Sequence, residues 1–153
     1  MKKGFTLVEL LIVMVVVSVL VTIALPAYKT AMEKGRALEG IANAEAISEA
    51  MNVYYIRNNL SYGTAQNLKN FVLGSGSGQG VAGITQSKFF GDPTITLSGT
   101  TQAKVEYKRL TGQYTLTFVN QNGKVTSRTC TSNTAMGKRY CRATGLTSMS
   151  SYR

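Results

Sequence analysis

The sequence predicts an α+β chain: a long N-terminal helix, membrane-spanning in one half and amphipathic in the other, packed on a three- to four-stranded antiparallel sheet with a disulfide-closed C-terminal loop. Three observations predict it: an apolar run at the N-terminus, a stripe of apolar residues spaced three or four apart behind it, and alternating strand-like runs in the second half. From Phe5 to Leu25 only Thr6, Glu9, Ser18 and Thr22 interrupt the apolar run. Its roughly 21 residues at about 1.5 Å each span about 31 Å, enough for the hydrocarbon core of a bilayer. The many valines would favour strand in water, but in lipid each backbone group must be bonded within its own segment, and a helix results. Lys2 and Lys3 hold the N-terminus on the cytoplasmic side, so the chain from about Tyr28 is expected outside. A cleaved secretory signal is the competing reading. The run exceeds the ~7–15 residues of such a signal, and Leu25-Pro26-Ala27 puts a bulky side chain where cleavage needs a small one. Pro26 has no N–H and clashes with the carbonyl of Thr22, which predicts a kink or an opened turn there.

Beyond this segment (5–27), residues 28–58 read as the amphipathic half of the same helix. Leu38, Ile41, Ala44, Ile47, Met51 and Tyr54 form its stripe, while Glu33, Lys34, Arg36, Glu39, Glu45 and Glu49 fall mainly elsewhere. Gly35 and Gly40 each lower helix propensity by about 1 kcal/mol relative to Ala. Residues 59–93 read as a connection, flexible through the GSGSGQGVAG stretch of residues 74–83. Gly78 to Gly83 fits the letters GxGxxG, but no strand-turn-helix context surrounds it, so a dinucleotide site is rejected. The sheet is expected within 94–129, with runs at Lys104–Leu110, Gln113–Val119 and Lys124–Thr129 and a weaker one at Thr94–Ser98. Tyr114, Leu116 and Phe118 alternate with polar positions, and Asn122-Gly123 supplies the positive-φ pair of a tight hairpin.

Cys130 and Cys141 are the only cysteines, an even count in an exported chain, and they predict a disulfide that bounds the C-terminal region 130–153. Closing a loop of about a dozen residues contributes on the order of 3 kcal/mol in the chain-entropy model. Two sulfurs in a chain without histidine make a poor metal site. The acids are few and scattered and no Ser or Thr has an evident base, so neither an enzyme nor a cofactor is expected.

Glu9 is the anomaly. A carboxylate inside the bilayer costs roughly 2.5–3.5 kcal/mol on insertion scales, and no Lys or Arg lies between Phe5 and Tyr28 to offset it. Cutting the chain after Gly4 would create a cation, since it frees an ammonium on Phe5 about one helical turn from Glu9. In this light Gly4-Phe5-Thr6-Leu7-Val8-Glu9-Leu10-Leu11-Ile12-Val13, with Ile23-Ala24-Leu25-Pro26-Ala27-Tyr28, resembles the N-terminal signature of type IV pilins and the related type II secretion pseudopilins. The resemblance covers residues 1 to about 56. It implies a leader of residues 1–4, removed after Gly4 by a prepilin peptidase that methylates the new amine of Phe5. Glu9 matches the position that pairs with that amine during assembly. Pro26 matches the proline before which filament subunits often lose helical structure. Ser18 departs from the glycine that many family members carry.

The resemblance implies a structural subunit, held in the inner membrane, that joins copies of itself into a helical extracellular filament through an inner-membrane assembly platform. Adhesion to host or abiotic surfaces, motility or DNA uptake would follow from the filament's surface. Two other readings compete. A DNA-binding minor pilin is suggested by the net charge of +10 and by Arg128, Lys138, Arg139, Arg142 and Arg153 around Tyr140, with phosphate contacts beside a stacking ring. The resemblance implies that a major pseudopilin would carry an acidic calcium loop near the C-terminus and lack this cysteine pair; here the last acid is Glu106, which favours the pilus and leaves a minor or competence pseudopilin as the alternative.

Overall fold

The computed structural model describes residues 5–74, 80, 82 and 87–146. Gly4, Lys2, Lys3, most of the Gly/Ser-rich stretch and the tail with Arg153 lie outside the described residues. Helix α1 (Leu7–Arg57) passes without a break from the apolar run into the amphipathic half. The opened turn expected at Pro26 is absent from the single chain. Pro26 removes one backbone hydrogen bond, and the turns on either side hold: Thr22 Oγ1 donates to the carbonyl of Ser18, and Thr30 Oγ1 to that of Pro26. The helix ends at Asn58, whose N–H reaches the carbonyl of Tyr54, and Asn59 and Leu60 follow with positive φ.

The sheet is an antiparallel meander, β1 (Thr94–Ser98), β2 (Gln102–Lys108), β3 (Thr115–Gln121) and β4 (Lys124–Thr131), in spatial order β1-β2-β3-β4. β2 and β3 begin and end about two residues away from the expected runs, because Arg109 and Tyr114 pair with each other across the turn outside the strands. Asn122 and Gly123 turn the β3–β4 hairpin with φ of 52° and 74°, as their positive-φ tolerance requires. Ala103, Val105 and Tyr107 on β2, with Leu116, Phe118 and Asn120 on β3, are buried on the helix side of the sheet.

α1 meets that face through Ala37, Gly40, Ala44, Ile47, Ser48, Met51 and Tyr55. Two expectations are corrected here. Leu38 is 56% exposed, and the stripe is rotated toward small residues. Glu33, expected among the solvated acids, is buried. The reason is close approach, since Phe90 fills the space above Gly40 and a Cβ on Gly40 would enter its ring. Gly40→Ala should therefore destabilise by about 1–3 kcal/mol through overpacking. Gly35, whose Cβ would meet nothing, should tolerate Ala with a gain of up to about 1 kcal/mol. Thermal unfolding of the two variants in detergent checks this contrast, and equal shifts would contradict it.

Two helices were absent from the sequence expectation. α2 (Ala65–Leu73), capped by Thr64, lies inside the segment read as a connection and buries Leu68 and Val72. α3 (Ala135–Thr144), capped by Thr134 and ended by Gly145 at φ 74°, occupies the segment read as a loop between the cysteines. Both begin with a Thr that accepts from the N–H three residues on, a legible start signal in a run too short to show periodicity.

Candidate functional site

The apolar half of α1 is the first candidate. Phe5, Leu7, Val8 and every large apolar residue through Leu25 are roughly half or more exposed, so the chain's own fold covers none of them. α1 is also the helix long and apolar enough to cross a membrane, and that stretch has nothing of the protein packed on it. At its start Thr6 and Glu9 form a reciprocal cap. Thr6 N–H and Oγ1–H donate to Glu9 Oε2 at 2.9 and 2.8 Å, and Glu9 N–H donates to Thr6 Oγ1 at 3.3 Å. The spacing Thr-x-x-Glu carries this capping box, a signal the charge argument passed over.

Glu9 thus has two donors within its own chain, and it sits at the helix end where the backbone dipole favours a negative charge. Phe5 is the residue directly before the Thr6 N–H that the carboxylate already holds. Pro26 lies farther along the same exposed stretch.

A second constellation was missed by sequence reasoning. Glu33 on α1 accepts from Arg109 Nε at 2.5 Å and Nη2 at 3.2 Å, from the Tyr114 hydroxyl at 3.1 Å and from Arg36 at 3.2 Å. Arg109 also donates to the Phe89 carbonyl at 2.6 Å and lies over the Phe89 ring. Burial pushes the Glu33 carboxyl up, but the hydrogen bond and charge of Arg109, with help from Tyr114 and Arg36, outweigh it and hold the group below its ordinary value. The bond to Glu33, ahead of the opposing effect of burial, raises Arg109. Burial, then the neighbouring Glu33 charge, pushes the Tyr114 hydroxyl up. This cluster is a clamp between helix and sheet, with Glu33 held at once by Arg109, Tyr114 and Arg36.

The cysteine pair forms the disulfide expected from the sequence, Cys130 on β4 to Cys141 on α3, with Cα atoms 5.4 Å apart. It ties α3 to the sheet edge, where Cys130 N–H also donates to the Leu146 carbonyl at 3.1 Å. Cys130→Ser should cost on the order of 3 kcal/mol. Limited proteolysis should then cut within or after α3 first, while an unchanged cleavage pattern would mean that packing alone holds the segment.

The basic residues proposed to bind DNA do not form the expected arrangement. Arg128 is 3.5 Å from Glu45 and stands over the Phe118 ring. Tyr140, the expected stacking ring, is buried beside Tyr114, because α3 turns that face into the core. Lys138, Arg139 and Arg142 are exposed on α3. No group of three or more potential metal ligands occurs among the described residues.

One comparison with known proteins falls on the same end of the chain. Residues 1–25 match the family described as the prokaryotic N-terminal methylation motif. A type IV major pilin protein PilE1 of Neisseria gonorrhoeae is 39% identical over 71 residues, covering 42% of this chain and 43% of that protein. A fimbrial protein of Neisseria meningitidis serogroup B is similar to the same degree over 42% of each chain. A type IV major fimbrial protein FimA of Dichelobacter nodosus is 38% identical over 47 residues, covering 31% of this chain and 29% of that protein. The chain thus spans less than half the length of the curated relatives it matches. No solved structure matches it. Over residues 1–25 the chain carries the prokaryotic N-terminal methylation motif, and the relatives it resembles are named type IV major pilin, fimbrial or type IV major fimbrial proteins.

Proposed function

We propose that this protein is a pilin, the structural subunit of a type IV pilus. It is held in the inner membrane by Phe5–Leu25, cut after Gly4 by a prepilin peptidase, methylated on Phe5 and polymerised by an inner-membrane platform into an extracellular filament. One observation carries the reading: an apolar helix that projects from a folded domain with none of its surface covered by its own chain. Apolar area left in water costs roughly 25 cal/mol per Å², so such a helix exists only where lipid or other copies of itself enclose it. A subunit that exchanges lipid for neighbouring helices satisfies both states. Contacts between successive copies are then heterologous and do not close, which yields a helical filament. Adhesion, motility or DNA uptake would be carried by the surface of the folded domains on the outside of that filament.

Mass spectrometry of the N-terminus of the surface-exposed protein tests the reading. The expected product begins at Phe5 with one added methyl group, and Gly4→Leu should leave a membrane-held precursor with residues 1–4 attached. A mature N-terminus at any other residue overturns the assignment.

A further inference from the structure

At about 100° per residue, α3 directs Gly137, Tyr140 and Cys141 into the core and gathers Lys138, Arg139 and Arg142 within about 100° of arc on its outer side. The buried ring of Tyr140 fixes the height of this helix along α1. It packs 6.4 Å from Tyr114, whose hydroxyl bonds Glu33, and it lines an open cleft of about 330 Å³ with Tyr28, Lys29, Met32 and Arg36. The apolar run ends at Leu25. At about 1.5 Å per residue, positions 29–33 stand only about 6–12 Å beyond that end. The headgroup layer of a bilayer is about 5–8 Å deep on each side, so Lys29 falls within it and α3, near the height of Glu33, borders its outer edge.

The charge at this level is one-sided. Lys29 is exposed and makes no ion pair among the described residues. Glu33, the acid nearest this cleft, is buried and occupied by Arg109, Arg36 and Tyr114. No Asp or Glu follows Glu106 in the chain. Met136, 56% exposed, adds an apolar edge beside the cations. A short helix with a basic outer face and an apolar margin, level with the bilayer surface, fits anionic headgroups, because Lys and Arg can rest their stems on the acyl boundary with their charges among phosphates.

We propose that the outer face of α3, with Lys29 and the cleft between Tyr28 and Tyr140, is a contact surface for anionic lipid headgroups that holds the folded domain against the membrane before assembly. This rests on the reading of Phe5–Leu25 as membrane-spanning. Each cation near an anionic surface contributes about fivefold in affinity at low salt, so three on α3 and one on α1 suffice to bias the domain toward the bilayer. The same surface is vacated when the subunit leaves lipid.

Hydrogen exchange of the full chain, reconstituted in vesicles of phosphatidylcholine alone or with phosphatidylglycerol added, tests the proposal. The amides of α3 should exchange at least about threefold more slowly in the anionic vesicles, and added salt should erase the difference. Lys138→Gln, Arg139→Gln and Arg142→Gln together should erase it too, with exchange in β2 and β3 unchanged to show that the fold persists. Should this variant misfold, the two-lipid comparison on the unaltered chain decides by itself. Equal α3 exchange in both lipids, with the chain inserted in both, overturns the proposal. Protection of α3 by a short DNA duplex, with none from phosphatidylglycerol, assigns the face to nucleic acid and overturns it as well. Failure to insert in either lipid removes the membrane reading, and this surface falls with it.

Discussion

Glu33→Ala should lower the unfolding free energy by about 3–5 kcal/mol, because it strands the Arg109 guanidinium in an interior that is 5% exposed. For a folded part of this size that corresponds to a drop in melting temperature of roughly 10–20 °C, measurable in detergent. Arg109→Met should cost a comparable amount, since it strands the carboxylate instead. The two changes together should cost less than their sum, as replacing a buried pair by apolar groups can be nearly neutral. Strict additivity of the two losses would show that Glu33 and Arg109 do not act as a unit.

The same pair predicts a pH dependence. Glu33 is held below its ordinary value of 4.5, so its contribution to stability is complete above that value and is lost as pH falls below it through the folded-state pKa. Tyr114 is raised above its ordinary value of 10.0, so its contribution is complete below that value and weakens as pH rises beyond it. Melting temperature followed from neutral to acid pH should show an acid loss that Arg109→Met diminishes.

Glu9→Ala should leave cleavage after Gly4 intact and nearly abolish filaments. The alternative role of Glu9 lies in the cap, where its carboxylate accepts two bonds from Thr6. Capping interactions contribute about 1 kcal/mol, which is too little to decide assembly alone. Glu9→Gln separates the two roles, because it keeps an acceptor for Thr6 but removes the charge. If the charge pairs with the Phe5 amine, Gln should fail as fully as Ala when surface filaments are imaged. Wild-type piliation in Glu9→Gln would assign the residue to the cap and remove the counterion role.

Features carried by one residue type or by neighbours in the chain were legible before folding was considered. The apolar run, the lone Glu9, the Asn122-Gly123 hairpin and the cysteine pair each follow from local chemistry. What was missed has a common cause. α2 and α3 are nine and ten residues long, so their periodicity spans fewer than three turns, and only the capping threonines mark them. Leu38 looked like a stripe residue because hydrophobicity counts the apolar side chain and ignores the gap to the sheet, which beside Leu38 is filled by Ala37 and by Gly40 under the Phe90 ring. Glu33 gave no signal at all, since its partners Arg109 and Tyr114 stand 76 and 81 residues away.

By itself the sequence determined that residues 5–25 form an apolar run long enough to cross a bilayer, since length and composition along a single segment settle that whatever the rest of the chain does. Only the tertiary structure decided which charges are spent inside and which are offered outside. Pairing in space converts Glu33 and Arg109 into a buried clamp and Arg128 into a partner of Glu45, while α3 keeps Lys138, Arg139 and Arg142 in solvent. Counting charges along a chain cannot separate those groups, because the energy of an ion depends on its surroundings once folded.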